Sequence, residues 1–159
     1  MDFRELLDRF SAGVERGDGR AFAALFTEDG TYHDHFYGDF TGRDAIARLI
    51  EEHFHKEGEA FRWRFGDGVS DGRTGYASFR YAYTARTRHA AGKRVALEGI
   101  SRFRLRDGLI ADYNDAFEGG VMLHQLGTPP EAMARIFARW SAHQLQDPAV
   151  AALMRGTEP

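Results

Sequence analysis

From its first residues the chain repeats apolar positions at three- and four-residue spacing. Phe3, Leu6, Leu7, Phe10 and Val14 fall on one face of a helix, and Gly17-Asp18-Gly19 ends it. Asp18 is placed to cap a second short helix, whose apolar face carries Phe22, Leu25 and Phe26. Thr27-Glu28-Asp29-Gly30 reads as a turn and Thr31 to Tyr37 as a strand, and Gly42 ends an irregular stretch. Ala45, Ile46, Leu49, Ile50 and Phe54 then line up as a third helix.

At Phe61 the period changes to two. Phe61, Trp63 and Phe65 alternate with Arg62 and Arg64, the pattern of a half-buried strand. The glycines and aspartates of Gly66 to Gly75 predict a hairpin connection. Ala77, Phe79, Tyr81 and Tyr83 alternate next, and His89-Ala90-Ala91-Gly92 turns the chain into a strand over Val95 to Arg106. Asp107-Gly108 is a strong two-residue hairpin signal, followed by a last strand through about Ile110 to Phe117. Four long strands on short turns predict a curved antiparallel meander. The tail is helical. Thr128-Pro129-Pro130-Glu131 offers an N-cap threonine, a helix-starting proline and a capping-box glutamate, and Asp147-Pro148 repeats the cap-plus-proline start.

Composition narrows the possibilities. The 159 residues are 43% hydrophobic and 28% charged, the balance of one domain, 1–159, with residues 129–159 as a helical C-terminal extension. No apolar run reaches membrane-spanning length, and no secretory signal is visible, so a cytoplasmic location is expected. The absence of cysteine removes disulfides, thiolate nucleophiles and zinc-thiolate sites. A net charge of −3 argues against nucleic acid as the partner. The aromatic content of 13%, with thirteen phenylalanines, raises the question of whether all of it is core.

Helix, helix, short strand, helix and bent antiparallel sheet is also the order of a known family. Leu25-Phe26-Thr27-Glu28-Asp29-Gly30-Thr31-Tyr32-His33-Asp34 resembles the opening of the NTF2-like superfamily in its SnoaL-like polyketide cyclase and ketosteroid isomerase branch. Phe40-Thr41-Gly42-Arg43-Asp44-Ala45-Ile46 is similar to the helix start that follows there. Gly120-Val121-Met122-Leu123-His124-Gln125-Leu126-Gly127 resembles its SnoaL-like ending. The likeness covers about residues 5–128. It implies an α+β, cystatin-like cone, with N-terminal helices packed on a strongly curved antiparallel sheet, here with extra C-terminal helices. It implies a pocket between the helices and the inner sheet face, and a homodimer paired through outer sheet faces.

Alternate side chains of a strand share a face. With the family alignment, Tyr32, Asp34, Phe36, Trp63, Phe65, Phe79, Tyr81, Tyr83, Leu97, Ser101, Phe103, Tyr113, Asp115 and Phe117 point inward. Arg62, Arg64, Arg80, Glu98, Arg102, Arg104, Asp112 and Asn114 point outward. The expected pocket is apolar and aromatic, with two acids inside it. Asp34 matches the family's general base, and a carboxylate in an apolar cavity is pushed toward a pKa useful for catalysis. Asp115 is the second candidate, although a one-residue slip would present Asn114 or Asp112 instead. The competing reading of either acid is a hydrated or hydrogen-bonded structural carboxylate.

The resemblance places Phe10 and Ser101 where ketosteroid isomerase keeps its two oxyanion donors, so a steroid-isomerase activity is not expected. Tyr32, Tyr81, Tyr83 or Tyr113 would have to donate instead. Trp63, Phe79, Phe103, Phe117 and His124 complete the expected ligand contacts. His33 and His35 are expected to share the outer strand face, with too few companions for a metal, and no metal or cofactor is anticipated. The Asp-Arg-Asp set of epoxide-hydrolase relatives finds no match, since alanine follows Phe79-Arg80-Tyr81. The expectation is therefore a small cofactor-independent acid/base catalyst (isomerisation, aldol cyclisation or dehydration) acting on an apolar carbonyl-bearing molecule. The competing class is a non-catalytic ligand-binding or dimerisation module on the same fold.

Overall fold

The computed structural model describes residues 1–157, which form two compact units, 1–126 and 127–157. In the first, α1 (Phe3–Arg16) starts at Asp2, whose side chain accepts the Glu5 amide at 2.7 Å. It stops at Gly17, where the left-handed conformation (φ 69°) suits a residue without a Cβ. Asp18 caps α2 (Gly19–Ala23) in the same way. Phe26 does not belong to this helix. It begins β1 (Phe26–Asp34), so the first strand is longer and earlier than the polar Thr-Glu-Asp-Gly run predicts.

β1 ends at Asp34, and residues 35–37 form a turn into β2 (Gly38–Thr41). The expected third helix is three joined pieces: α3 (Arg43–Arg48), a π-helical stretch (Leu49–Phe54) and α4 (His55–Glu57). A π-helical stretch closes i to i+5 bonds, so it rotates later side chains away from the face that an α-helical period would give them.

β3 (Gly58–Ser70), β4 (Thr74–Ala85), β5 (Arg94–Arg106) and β6 (Leu109–Phe117) form the meander, and α5 (Gly119–Gln125) follows. The predicted connection Gly66 to Gly75 is mostly strand. A bulge near Gly68 lets β3 run on to Ser70, and only residues 71–73 turn. Asp107 and Gly108 both have positive φ (55° and 74°), the geometry that a tight hairpin requires. The six strands are ordered β2-β1-β6-β5-β4-β3, with β1 parallel to β6 and the other pairs antiparallel.

Register decides which residues share a wall. Trp63 stands opposite Tyr81 and Tyr81 opposite Leu97. Phe79 stands opposite Gly99, Gly99 opposite Phe117, and Ser101 opposite Asp115. A Cβ on Gly99 would lie 2.8 Å from the Phe79 ring, so glycine makes room for that ring on the inner face. Phe10 of α1 packs into this face against Phe22, Tyr32, Trp63, Phe65, Phe103 and Tyr113, with centroids 4.6–6.5 Å apart.

In the second unit, α6 (Pro130–Gln146) and α7 (Pro148–Arg155) pack on each other. Thr128 does not cap α6. Pro129 holds that position and makes no side-chain cap bond, because the two prolines move the helix start one residue on. Asp147 caps α7 as expected, accepting the amides of Ala149 and Val150. No helix among the described residues is long and apolar enough to cross a membrane.

The two expected outer-face histidines part company. Asp34 ends β1, so His35 leaves the strand and lies 5.2 Å (ring centroids) from Phe117. His33 stays on the sheet, with Nδ1 2.7 Å from Asp39 Oδ1 and Nε2 2.8 Å from Asp112 Oδ2. Arg102 donates to the other Asp112 oxygen at 3.1 Å. Two carboxylate acceptors call for both ring N–H groups, hence an imidazolium. Partial burial lowers the His33 pKa, but the bonds to Asp112 and Asp39 outweigh it, and the net shift is upward. A raised histidine stabilises fully below its unfolded value of about 6.5, and this is lost as pH rises through the folded value. The stability advantage of the native protein over His33→Ala, measured by urea unfolding, is therefore expected to shrink as pH rises from about 6. A constant advantage on both sides of the folded pKa would contradict this assignment.

Candidate active site

The inner sheet face, the π-helical stretch with α4, and α5 enclose a cavity of about 300 Å³, all of it within residues 1–126. That is the small end of the range for ligand pockets. One end is buried, with Tyr32 2% exposed, while Tyr37 at the other is 43% exposed. Phe10 and its ring contacts fill the space beyond the buried end, so the aromatic content divides into a plug and a lining.

Asp34 and Asp115 both lie on the wall. Asp34 is the last residue of β1, and its Oδ1 accepts the amides of Phe36 at 2.8 Å and Tyr37 at 2.9 Å. This is the local turn that aspartate favours. Burial raises its pKa, opposed by those two amides and by the nearby His35 and His53. Asp34 Oδ2 has no hydrogen-bond partner among the described residues, so this oxygen is left for the cavity.

Asp115 is held by side chains instead. Its Oδ1 accepts the Ser101 hydroxyl at 2.5 Å and the Tyr113 hydroxyl at 2.6 Å, and those two oxygens are 3.0 Å apart. The cross-strand pairing of Ser101 with Asp115 makes this possible, and it fixes Asp115 rather than Asn114 as the inward residue. Burial pushes the Asp115 carboxyl up to about 7; the bonds from Ser101 and Tyr113 pull it back in part, and the Asp34 charge raises it. Each acid thus has one oxygen bound by two donors and one oxygen that is not. Burial also holds the hydroxyls of Tyr32 and Tyr81 well above the usual tyrosine value, so they are neutral donors.

Of the other residues singled out in the sequence, Tyr32, Trp63, Phe79, Tyr81, Tyr83 and Phe117 line the cavity. Ser101 and Tyr113 do not; both are fully buried behind Asp115. Phe103 is also off the wall, packed in the core on Phe3, Phe10, Phe65 and Tyr113. His124 is exposed, because α5 turns Met122, Leu123 and Leu126 to the cavity instead. Sequence reasoning missed Tyr37, His53, Phe54 and Glu57. Tyr37 donates to Glu57 Oε2 at 2.5 Å, and His53 lies 4.7 Å (ring centroids) from the Tyr37 ring. Among the described residues no three His, Asp or Glu side chains are grouped as a metal ion would require.

A helix-covered, curled sheet around an acid-bearing aromatic cavity defines a small α+β cone protein of the ketosteroid isomerase-like type. The SnoaL-like domain family matches residues 7–113, and the chain belongs to that family. A hypothetical protein with a ketosteroid isomerase-like fold from Catenulispora acidiphila, solved in complex with trimethylamine, shares 23% identity over 80% of this chain and 95% of its own, with a TM-score of 0.71. A candidate polyketide cyclase from Pseudomonas putida gives 0.65 at 23% identity, over 79% of this chain and 98% of that one. An LEH-like epoxide hydrolase from M. tuberculosis gives 0.62 at 17% identity, over 85% and 94%. No curated protein sequence matches significantly.

The hydroxyl donors lower the Asp115 pKa, so removing either one should raise it. Ser101→Ala and Tyr113→Phe are each expected to move the Asp115 titration further above about 7, as followed by carboxyl carbon NMR. A titration that stays put or falls would mean that these hydroxyls do not bond the carboxylate.

Proposed function

We propose that the protein catalyses a proton transfer next to a carbonyl on a small apolar molecule, with no cofactor taking part. The observation that carries this is the pair of cavity carboxyls with unequal environments. Asp34, held by backbone amides, is the base; it takes the proton from carbon through Oδ2. Asp115, whose pKa of about 7 leaves it substantially protonated at neutral pH, is the acid. Its proton sits on Oδ2, because Oδ1 already accepts two hydroxyls. From there it donates to the oxygen of the forming enolate. Tyr32 and Tyr81 are neutral donors in the same cavity, and the aromatic walls exclude water, which strengthens each of these interactions.

Isomerisation, aldol closure and dehydration all begin with this enolisation step. Kinship with the ketosteroid isomerase and polyketide cyclase branch supports the same class. Epoxide opening through an Asp-Arg-Asp set is disfavoured, since no arginine lines the cavity among the described residues.

The step can be read without knowing the natural substrate. Incubated in deuterium oxide with a panel of small cyclic ketones, the native protein is expected to exchange their α-protons. Asp34→Asn should slow this by about 10²–10⁴-fold, the usual contribution of a general base. Binding of the ketones with no exchange above buffer would instead favour the non-catalytic ligand-binding reading.

We further propose a homodimer through the outer sheet face, where Val69, Tyr76 and Ile100 are exposed. Sedimentation should give a dimer, and Ile100→Glu a monomer; a monomeric native protein would refute this.

A further inference from the structure

The charges of the chain are divided unevenly between the cavity and the rest of the molecule. Lysine and arginine number 21 against 24 acids, yet among the described residues the wall carries Asp34, Glu57 and Asp115 with no lysine or arginine. His53 is the one nitrogen base on it among the described residues. A carboxylate or phosphate entering this space would lose its hydration against acidic groups, with no cation to compensate. A neutral ligand would gain from burial alone.

Beside Gly58 the cavity wall combines two features that favour a cation. The first is a continuous aromatic surface. Phe61 lies nearly parallel to Tyr83 (18°, centroids 5.4 Å) and to Tyr81 (19°, 6.0 Å). Gly58 permits this surface to start directly after α4. A Cβ there would stand 2.7 Å from the Phe61 ring and 2.9 Å from the Tyr83 ring. The second feature is Glu57, the neighbour of that glycine. Its Oε2 is held by the Tyr37 hydroxyl, and Oε1 has no hydrogen-bond partner among the described residues. Asp34 and Asp115 are occupied with the proton transfer, whereas Glu57 has no part in it.

We propose that the substrate bears a protonated or quaternary amine, and that Glu57 with the rings of Tyr37, Phe61 and Tyr83 is the subsite for its cationic nitrogen. The inference rests on the acid–base reading of the cavity and adds the chemical class of the substrate to it. The ring faces attract the cation through their quadrupoles, and the carboxylate neutralises it. The reacting carbon and its carbonyl then lie deeper, toward Asp34 and Asp115. Glu57 is a specificity residue, and the reaction itself does not use it.

The test needs binding alone. Choline and its uncharged carbon isostere dimethylbutanol match in shape and differ in charge, and their affinities can be compared by NMR titration. Choline is expected to bind at least about tenfold more tightly. Glu57→Gln should remove most of that preference while leaving the alcohol's affinity unchanged. The unchanged affinity of Glu57→Gln for the alcohol serves as the folding control. Equal binding of the two compounds by the native protein, or a preference that survives Glu57→Gln, overturns the subsite. Ketone exchange without a choline preference would sink the subsite and leave the acid–base reading standing. A choline preference without exchange would do the reverse.

Discussion

The structure of residues 1–126 depends on Phe10. Its ring is fully buried and meets six others, drawn from α2, β1, β3, β5 and β6. A single helix side chain thus joins strands far apart in sequence and holds α1 in the curl of the sheet. Removing so large a ring from such a site costs about 3–5 kcal/mol in typical cores. The same packing sets where the cavity begins. On one side of Phe10 the inner face is filled by Phe22, Phe65 and Phe103; on the other, Tyr32 and Trp63 pass directly into the lining.

Electrostatics follows from that packing. A wall of rings leaves the acids poorly solvated, and the protein responds differently at each. Asp34 draws on backbone amides, a source available at a strand end. Asp115 lies within β6, whose backbone is committed to the sheet, and relies on hydroxyls from Ser101 and Tyr113. Burial raises both acids, but backbone amides oppose it at one and side-chain hydroxyls at the other, so two acids of one chemical type stand in unequal environments. On the outer face the opposite solution appears. His33, Arg102, Asp39 and Asp112 compensate one another's charge there.

Much of the site was legible because a strand has a period of two. Once Trp63, Phe79, Tyr81, Tyr83, Asp115 and Phe117 are assigned to strands, parity alone places them on one face. The misses have a common cause. Tyr37 sits in a turn whose direction is set by the Asp34 carboxylate. His53 lies within the π-helical stretch and Glu57 in α4 just after it, so neither belongs to a strand whose parity could place it on the inner face. Ser101 and Tyr113 had the right face, but depth separates a residue behind the wall from one on it. Phe103 failed for the same reason, and His124 because α5 turns its apolar residues to the cavity.

By itself, the amino-acid order determined the succession of helices and strands, the inward aromatic face, the Asp107-Gly108 hairpin and the family likeness. These are local or periodic properties, governed by side-chain spacing and turn chemistry. The tertiary structure alone decided that β1 lies parallel to β6, that Ser101 faces Asp115, and that Glu57 joins the aromatic wall. Each of those depends on contacts between segments distant along the chain, and burial, the force that shifts the acids, exists only once they have packed together.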